Sequence, residues 1–152
     1  MVRYISAVPV PHQDLGRAVK QLQYRHHREL DDRLRETGTS LAQWDALRAI
    51  SKRPNSSAHA IAEITFQTDQ SFGGLAGRLE RRGLIERAAG PGRAIRHHLT
   101  PAGEAALRRG QEAVNQVLRA SFAPLTAKQR EQLYGLLTTA LREGHPAQEV
   151  GL

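Results

Sequence analysis

SAHAIAEITFQTDQSFGGLAGRLERRGLIERAAGPGRAIRHHL, residues 57–99, predicts a short helix, a turn, a second helix and a two-stranded hairpin. Ser56 or Ser57 supplies an N-cap for a first helix carrying Ala60, Ile61 and Ile64, and Thr68 caps a second that opens at Asp69. The two meet at Phe66-Gln67. Phe72, Leu75 and Leu79 then recur at helical spacing until Gly83, a residue suited to the left-handed position just past a helix end. Leu84 to Arg87 and Ala94 to Leu99 are strand-length, and Gly90-Pro91-Gly92-Arg93 between them cannot be helical. On the second strand Ile95, His97 and Leu99 share the inward face, His97 as a hydrogen-bonded packing residue, while Arg96 and His98 point outward. This is the outline of a winged helix-turn-helix, a unit that presents the start of its second helix to the DNA major groove.

Charge points the same way. From Arg78 to Arg96 there are six arginines (78, 81, 82, 87, 93 and 96) against two acids, Glu80 and Glu86, and His97-His98 follow at once. The guanidinium fork fits phosphate oxygens, so this cluster reads as a surface that neutralises a nucleic-acid backbone. The whole chain carries a formal charge of +7, which makes polyanions its natural partners.

Outward from this unit, both ends of the chain are helical. Asp14 offers a cap after the prolines at 9 and 11, and Leu15, Val19, Leu22, His26, Leu30 and Leu34 form the apolar stripe of a long amphipathic helix. Thr37-Gly38-Thr39-Ser40 interrupts it, and Ser40 with Gln43 makes a capping box for a helix bearing Leu41, Trp44, Leu47 and Ile50. Beyond the hairpin, Thr100-Pro101 opens a helix with Leu107, Val114, Leu118 and Phe122 on one side. A second capping box, Thr126 with Gln129, precedes Leu133, Leu136, Leu137, Ala140 and Leu141, and Gly144 and Pro146 close that helix. The arm before Asp14, with Val2, Tyr4, Ile5, Val8 and Val10, is too apolar for a freely solvated tail and is expected to pack on a partner subunit.

The expected fold is mainly α with a small β-hairpin wing. It is a single domain over 1–152, in which 40–100 forms the winged helix-turn-helix and 14–36 and 101–143 form a helical dimerisation region. The end helices have too few local partners to bury their stripes alone, so a twofold homodimer follows. Such a dimer sets two reading helices about one duplex turn, ~34 Å, apart. A chain of 152 residues with 5% aromatic content has a modest core to which subunit association can add. Without cysteine there are no disulfides or thiolate ligands. No apolar run approaches the ~18 residues of a membrane span, and Met1 to Pro11 has no signal-peptide core, so a cytoplasmic protein without membrane contact is expected.

Leu41-Ala42-Gln43-Trp44 with Leu47, Leu79-Glu80-Arg81-Arg82-Gly83-Leu84-Ile85-Glu86-Arg87, and Leu99-Thr100-Pro101-Ala102-Gly103 together resemble the MarR family of bacterial transcriptional regulators. The similarity runs in order over nearly the whole chain. It implies a dimeric regulator, usually a repressor, that leaves a palindromic operator when a small ligand or oxidant acts on it. By position, Gln67, Thr68, Asp69, Gln70, Ser71 and Phe72 open the recognition helix, and Arg93 is the wing arginine that enters a minor groove. Family members commonly carry an aspartate two residues before that arginine, where this chain has Pro91 in a shorter wing. Where many have a hydroxyl residue followed by a basic one, this chain has Gly73-Gly74. That pair leaves Thr68, Asp69, Gln70 and Ser71 as candidate base readers, with Arg78 and Arg96 as candidate backbone contacts. Alternatively, the glycines let another helix or the phosphate backbone approach closely.

The same resemblance places effector pockets between the first, second and fifth helices, which makes Tyr24, His27, Trp44 and Arg48 candidate liners. From its position in the helical stripe, however, Trp44 reads as core. The histidines at 26, 27, 59, 97, 98 and 145 accompany no metal-ligand motif, and no metal or cofactor is expected. No nucleophile-base pair, phosphate-cradling loop or carboxylate pair supports an enzyme, so catalytic residues are not assigned. Two functions remain open: a sequence-specific, effector-released regulator, and a basic architectural protein that binds duplex DNA with little sequence choice.

Overall fold

Local chemistry starts most of the helices. In the computed structural model, which describes residues 8–92 and 94–143, α1 (His12–Arg35) is followed by α2 (Leu41–Lys52), α3 (Ala58–Ile64) and α4 (Asp69–Arg81). The chain continues through β1 (Ile85–Ala89), β2 (Ile95–Leu99), α5 (Pro101–Phe122) and α6 (Ala127–Glu143). The Ser40–Gln43 capping box opens α2, with both reciprocal bonds made. Hydroxyls of Ser57, Thr68 and Thr100 accept from the backbone N–H groups of Ala60, Ser71 and Gly103. Thr126 and Gln129 repeat the box at α6. Each satisfies an N–H that the first helical turn leaves unpaired. Asp14 does not cap α1: the helix begins two residues earlier, with Pro11 at the cap position and its carbonyl accepting from Asp14 and Leu15. The prolyl ring already fixes the φ that the entry needs, and Asp14 falls in the first turn, where the helix dipole favours its charge.

The exit from α4 positions the wing. Gly83 takes φ +69°, Leu84 N–H reaches Leu79 C=O, and Gly83 N–H reaches Glu80 C=O. This pair of hydrogen bonds turns the chain from α4 into β1 and seats Leu84 in the core. β1 and β2 pair antiparallel, Ile85 opposite Leu99 and Ala89 opposite Ile95. His97 is buried on β2, its Nδ1 bonded to the carbonyl of Ser56 at 3.0 Å. Ile95 departs from the inward reading: it lies in the last strand pair beside the hairpin loop and is exposed. Strand parity gives a residue's face but not whether anything covers it.

Two apolar clusters organise the molecule. The larger joins Leu47 and Ile50 of α2, Ile61 of α3, Phe72, Leu75 and Leu79 of α4, and Ile85 of β1. The smaller gathers Leu34 of α1, Trp44 of α2, and Ala113 and Val114 of α5. Helix α2 belongs to both. Gly110 admits the Trp44 indole against α5, since a Cβ there would lie 2.2 Å from Trp44 Cδ1. The indole N–H donates to Leu107 C=O at 3.2 Å, which satisfies the ring's one polar group.

α1 runs antiparallel to α5: His26 meets Ser121 and Phe122, and Arg33 donates to Gln116. The N-terminal part of α1 therefore projects past the end of α5. There Leu15, at 56%, and Val19 are exposed. α6 makes no substantial packing contact with any other element among the described residues, and it exposes Tyr134, Leu136 (70%), Leu137 and Leu141. Of the N-terminal arm, Val8 and Val10 are exposed, while Val2, Tyr4 and Ile5 lie outside the described residues, as do Gly144 and Pro146. No helix among the described residues is long and apolar enough to cross a membrane.

Candidate nucleic-acid interface

Helix α4 buries Phe72, Leu75, Ala76 and Leu79, which turns Gln70, Gly73, Gly74 and Arg78 outward. This follows from the 3.6-residue period: 72, 75, 76 and 79 form one stripe, and 70, 74 and 78 lie on the opposite side. The turn before it is tight. Gln67 N–H bonds Ala62 C=O and Phe66 N–H bonds Glu63 C=O, a helix-ending pattern whose left-handed position is occupied by Phe66 at φ +56°. Its ring is 83% exposed.

The candidate readers are not equally free. Gln67 is half-buried, its Nε2 donating to Thr65 Oγ1 and its Oε1 accepting from Ser71 Oγ, so its amide is engaged within the turn. Thr68 serves as the cap. Asp69 carries His59 of α3 against both carboxylate oxygens, at 3.0 and 3.1 Å. Gln70 is exposed and makes no side-chain hydrogen bond to any described residue. No helix among the described residues packs closely on Gly73-Gly74. A Cβ at Gly73 would meet nothing within 4 Å, and one at Gly74 only Arg78 Nη1 at 3.6 Å.

The arginine cluster divides. Arg82 donates to Gly38 C=O at 2.7 Å and to Gln43 Oε1 at 3.0 Å, tying the end of α4 to the start of α2. Arg87 is paired with Glu80 across 2.6 Å. Arg96 crosses the wing over Gly90 and donates to Asn55 C=O at 3.2 Å. Arg78 and Arg81 have no acidic partner among the described residues, and their arms fold back over Gly74 and Gly77. Long helical side chains lean toward the helix N-terminus, so Arg78 carries its charge to the level of Gly74, about 6 Å nearer the helix start than its own Cα. Arg93 lies outside the described residues.

At the junction of α1, α2 and α5 the four candidate liners separate. Trp44 is 4% exposed and belongs to the core, with the Arg48 guanidinium 5.8 Å from its ring centroid. Tyr24 is paired instead with Arg28 of its own helix, at 6.0 Å. Asp45, which sequence reading passed over, lies in the field of His27 and Arg48. Burial pushes its carboxyl above the usual range, and the neighbouring Arg48 and His27 pull it back only in part. The signal for it in the sequence was an acid one residue from Trp44 and three from Arg48 on one helix.

This geometry accords with known proteins. A family model described as the MarR family matches residues 37–94, the span from the start of α2 to the wing. The homoprotocatechuate degradative operon repressor of Escherichia coli is 29% identical over 109 residues, 70% of this chain and 74% of the repressor. A solved structure described as a probable transcriptional regulator from Pseudomonas aeruginosa superposes with a TM-score of 0.73 at 30% identity, over 82% of this chain and 95% of that one. A MarR family protein of Mycobacterium tuberculosis, solved in complex with salicylic acid, gives a TM-score of 0.70 at 25% identity, covering 88% of this chain and 98% of the other. The same protein solved in complex with DNA gives 0.73 at 23% identity, covering 87% and 98%.

Proposed function

The chain belongs to the MarR family of transcriptional regulators, and we propose that it acts as a cytoplasmic homodimeric repressor that reads a palindromic operator and is released by a small-molecule effector. The observation that carries this reading is the outward side of α4, where Gln70 and Arg78 stand exposed beside two glycines that no packing contact among the described residues requires. Base edges are read from such a helix, and bare backbone lets it approach closely. Dimerisation is supported by the apolar residues left exposed on the projecting part of α1 and on α6, a surface that a second copy covers through the same contacts in both directions.

Release has a structural route in α2. One side of it holds Trp44, Asp45 and Arg48 near α1 and α5; the other places Leu47 and Ile50 in the core that seats α4. An effector bound beside Arg48 and His27 acts on the helix that supports the reading helix. The M. tuberculosis relative, solved with salicylic acid, makes an aromatic acid the first class to assay.

The deciding experiment is a titration of the full chain on genomic fragments with excess nonspecific competitor. One or a few fragments should stay bound at competitor levels that clear the rest. Uniform loss from all fragments would instead favour architectural binding, the reading supported by the small number of side chains that α4 offers to base edges.

A further inference from the structure

His59 of α3 stands between two carboxylates of the helix-turn-helix. Its Nδ1 lies 3.0 and 3.1 Å from the two oxygens of Asp69, the first residue of α4, and its Nε2 lies 3.4 Å from Glu63, one turn further along α3. Both ring nitrogens face acceptors. A neutral imidazole has a single N–H and would set a lone pair against one of the carboxylates, whereas an imidazolium donates to both. The charged groups bearing on His59 among the described residues are Asp69 from α4 and Glu63 from α3; α2 and β2, which also pack on α3, add none.

In the free protein Asp69 suits its position, because the start of a helix favours negative charge. Beside a duplex the balance changes. Asp69 and Glu63 together carry two negative charges, and the surface that holds Asp69 is the one proposed to meet the polyanionic duplex. Resting on that reading of α4, we propose that His59 is a positioning residue for the reading helix: as an imidazolium it holds Asp69 and Glu63 paired, and each subunit takes up a proton there on binding DNA.

The linkage has a definite sign. The carboxylates already hold the His59 imidazolium above its ordinary value, the Asp69 hydrogen bond first, then the charges of Asp69 and Glu63. A polyanion raises it further. Below the free protein's value both states are protonated and affinity does not depend on pH. Between the free and bound values, affinity falls with rising pH by up to about tenfold per unit for each subunit. The window therefore opens above the ordinary histidine range.

The test is fluorescence anisotropy of the full-length protein on a labelled genomic duplex from pH 6 to 8.5 at constant ionic strength, for wild type, His59→Gln and Asp69→Asn. Wild-type affinity should fall as pH rises. His59→Gln should bind with a flat profile near the wild-type affinity at pH 8.5, and it should fold normally because the side chain is exposed. Asp69→Asn should bind more tightly than wild type at pH 8.5 with a shallower slope. A pH-independent wild type, or a slope that survives in His59→Gln, overturns the role of His59 while leaving DNA binding intact. Failure of wild type to bind any duplex at any pH overturns the reading of α4 as well.

Discussion

Glycines inside the helices divide into two kinds, and alanine substitution should reverse sign between them. In α4, Gly73 faces open space, and at Gly74 an added Cβ meets only the end of the flexible Arg78 arm at an ordinary contact distance of 3.6 Å. Each Gly→Ala change there should stabilise the protein by about 0.8–1 kcal/mol through helix propensity alone. Two independent gains raise the melting temperature by roughly 4–8 °C at this chain length. In α5 the same change at Gly110 places Cβ 2.2 Å from Trp44 Cδ1, 2.5 Å from Nε1 and 3.0 Å from Leu34 Cδ2. The indole cannot stay where it is. Overpacking of about 1–3 kcal/mol, with about 1 kcal/mol for a lost Trp44–Leu107 hydrogen bond, outweighs the gain in propensity. Gly103 is tighter, because its Cβ would fall on the Leu84 carbonyl, backbone that cannot rotate away. Urea unfolding followed by circular dichroism, at one protomer concentration, should rank the proteins Gly73→Ala/Gly74→Ala above wild type, wild type above Gly110→Ala, and Gly103→Ala last. A Gly110→Ala protein as stable as wild type would refute the packing of Trp44 on α5. A destabilised double variant would refute the open outer side of α4. In duplex titrations the double variant should bind more weakly despite its stability, because its methyl groups would stand where the helix is proposed to meet the groove.

Replacing Leu133 and Leu137 with aspartate should give monomer or insoluble chain in sedimentation velocity, since it sets two charges into the proposed interface; an intact dimer would remove α6 from that interface. Asp45→Asn should be more stable than wild type at pH 7. The folded carboxyl titrates above its unfolded value, so its stabilising contribution is complete only below the ordinary aspartate range and is lost as pH rises through the folded value. The difference in melting temperature should accordingly shrink toward pH 3, and equal melting at pH 7 would argue against burial of the charge. Phe66→Gly should stabilise by up to about 1–2 kcal/mol by relieving the left-handed backbone at φ +56°, which chemical denaturation can read directly.

The features legible in the sequence are those decided within a few residues of chain. Ser40, Ser57, Thr68, Thr100 and Thr126 cap helices because a hydroxyl three residues before an N–H needs no distant partner. Gly83 ends α4 for an equally local reason. Asp14 was misplaced because two local signals competed, and the prolyl φ at 11 prevailed over a side-chain cap. Phe66 is a different case: a left-handed turn asks for glycine, so nothing in a phenylalanine announces one.

The site was less legible because its chemistry depends on how helices are placed. Six arginines looked like one basic surface, yet Arg82 and Arg96 satisfy carbonyls 44 and 41 residues away, and Arg87 pairs with an acid on the preceding helix. Composition counts those charges alike; geometry engages three within the fold and leaves Arg78 and Arg81 on α4, with Arg93 outside the described residues. The His59–Asp69 contact shows the converse. Ten residues separate the pair, and no periodicity links them, because the turn at Phe66 sets the angle between their helices. That turn thereby fixes the electrostatics of α4 as well as its direction, and a change at Phe66 that re-angled α3 on α4 would release Asp69 without touching a charged residue.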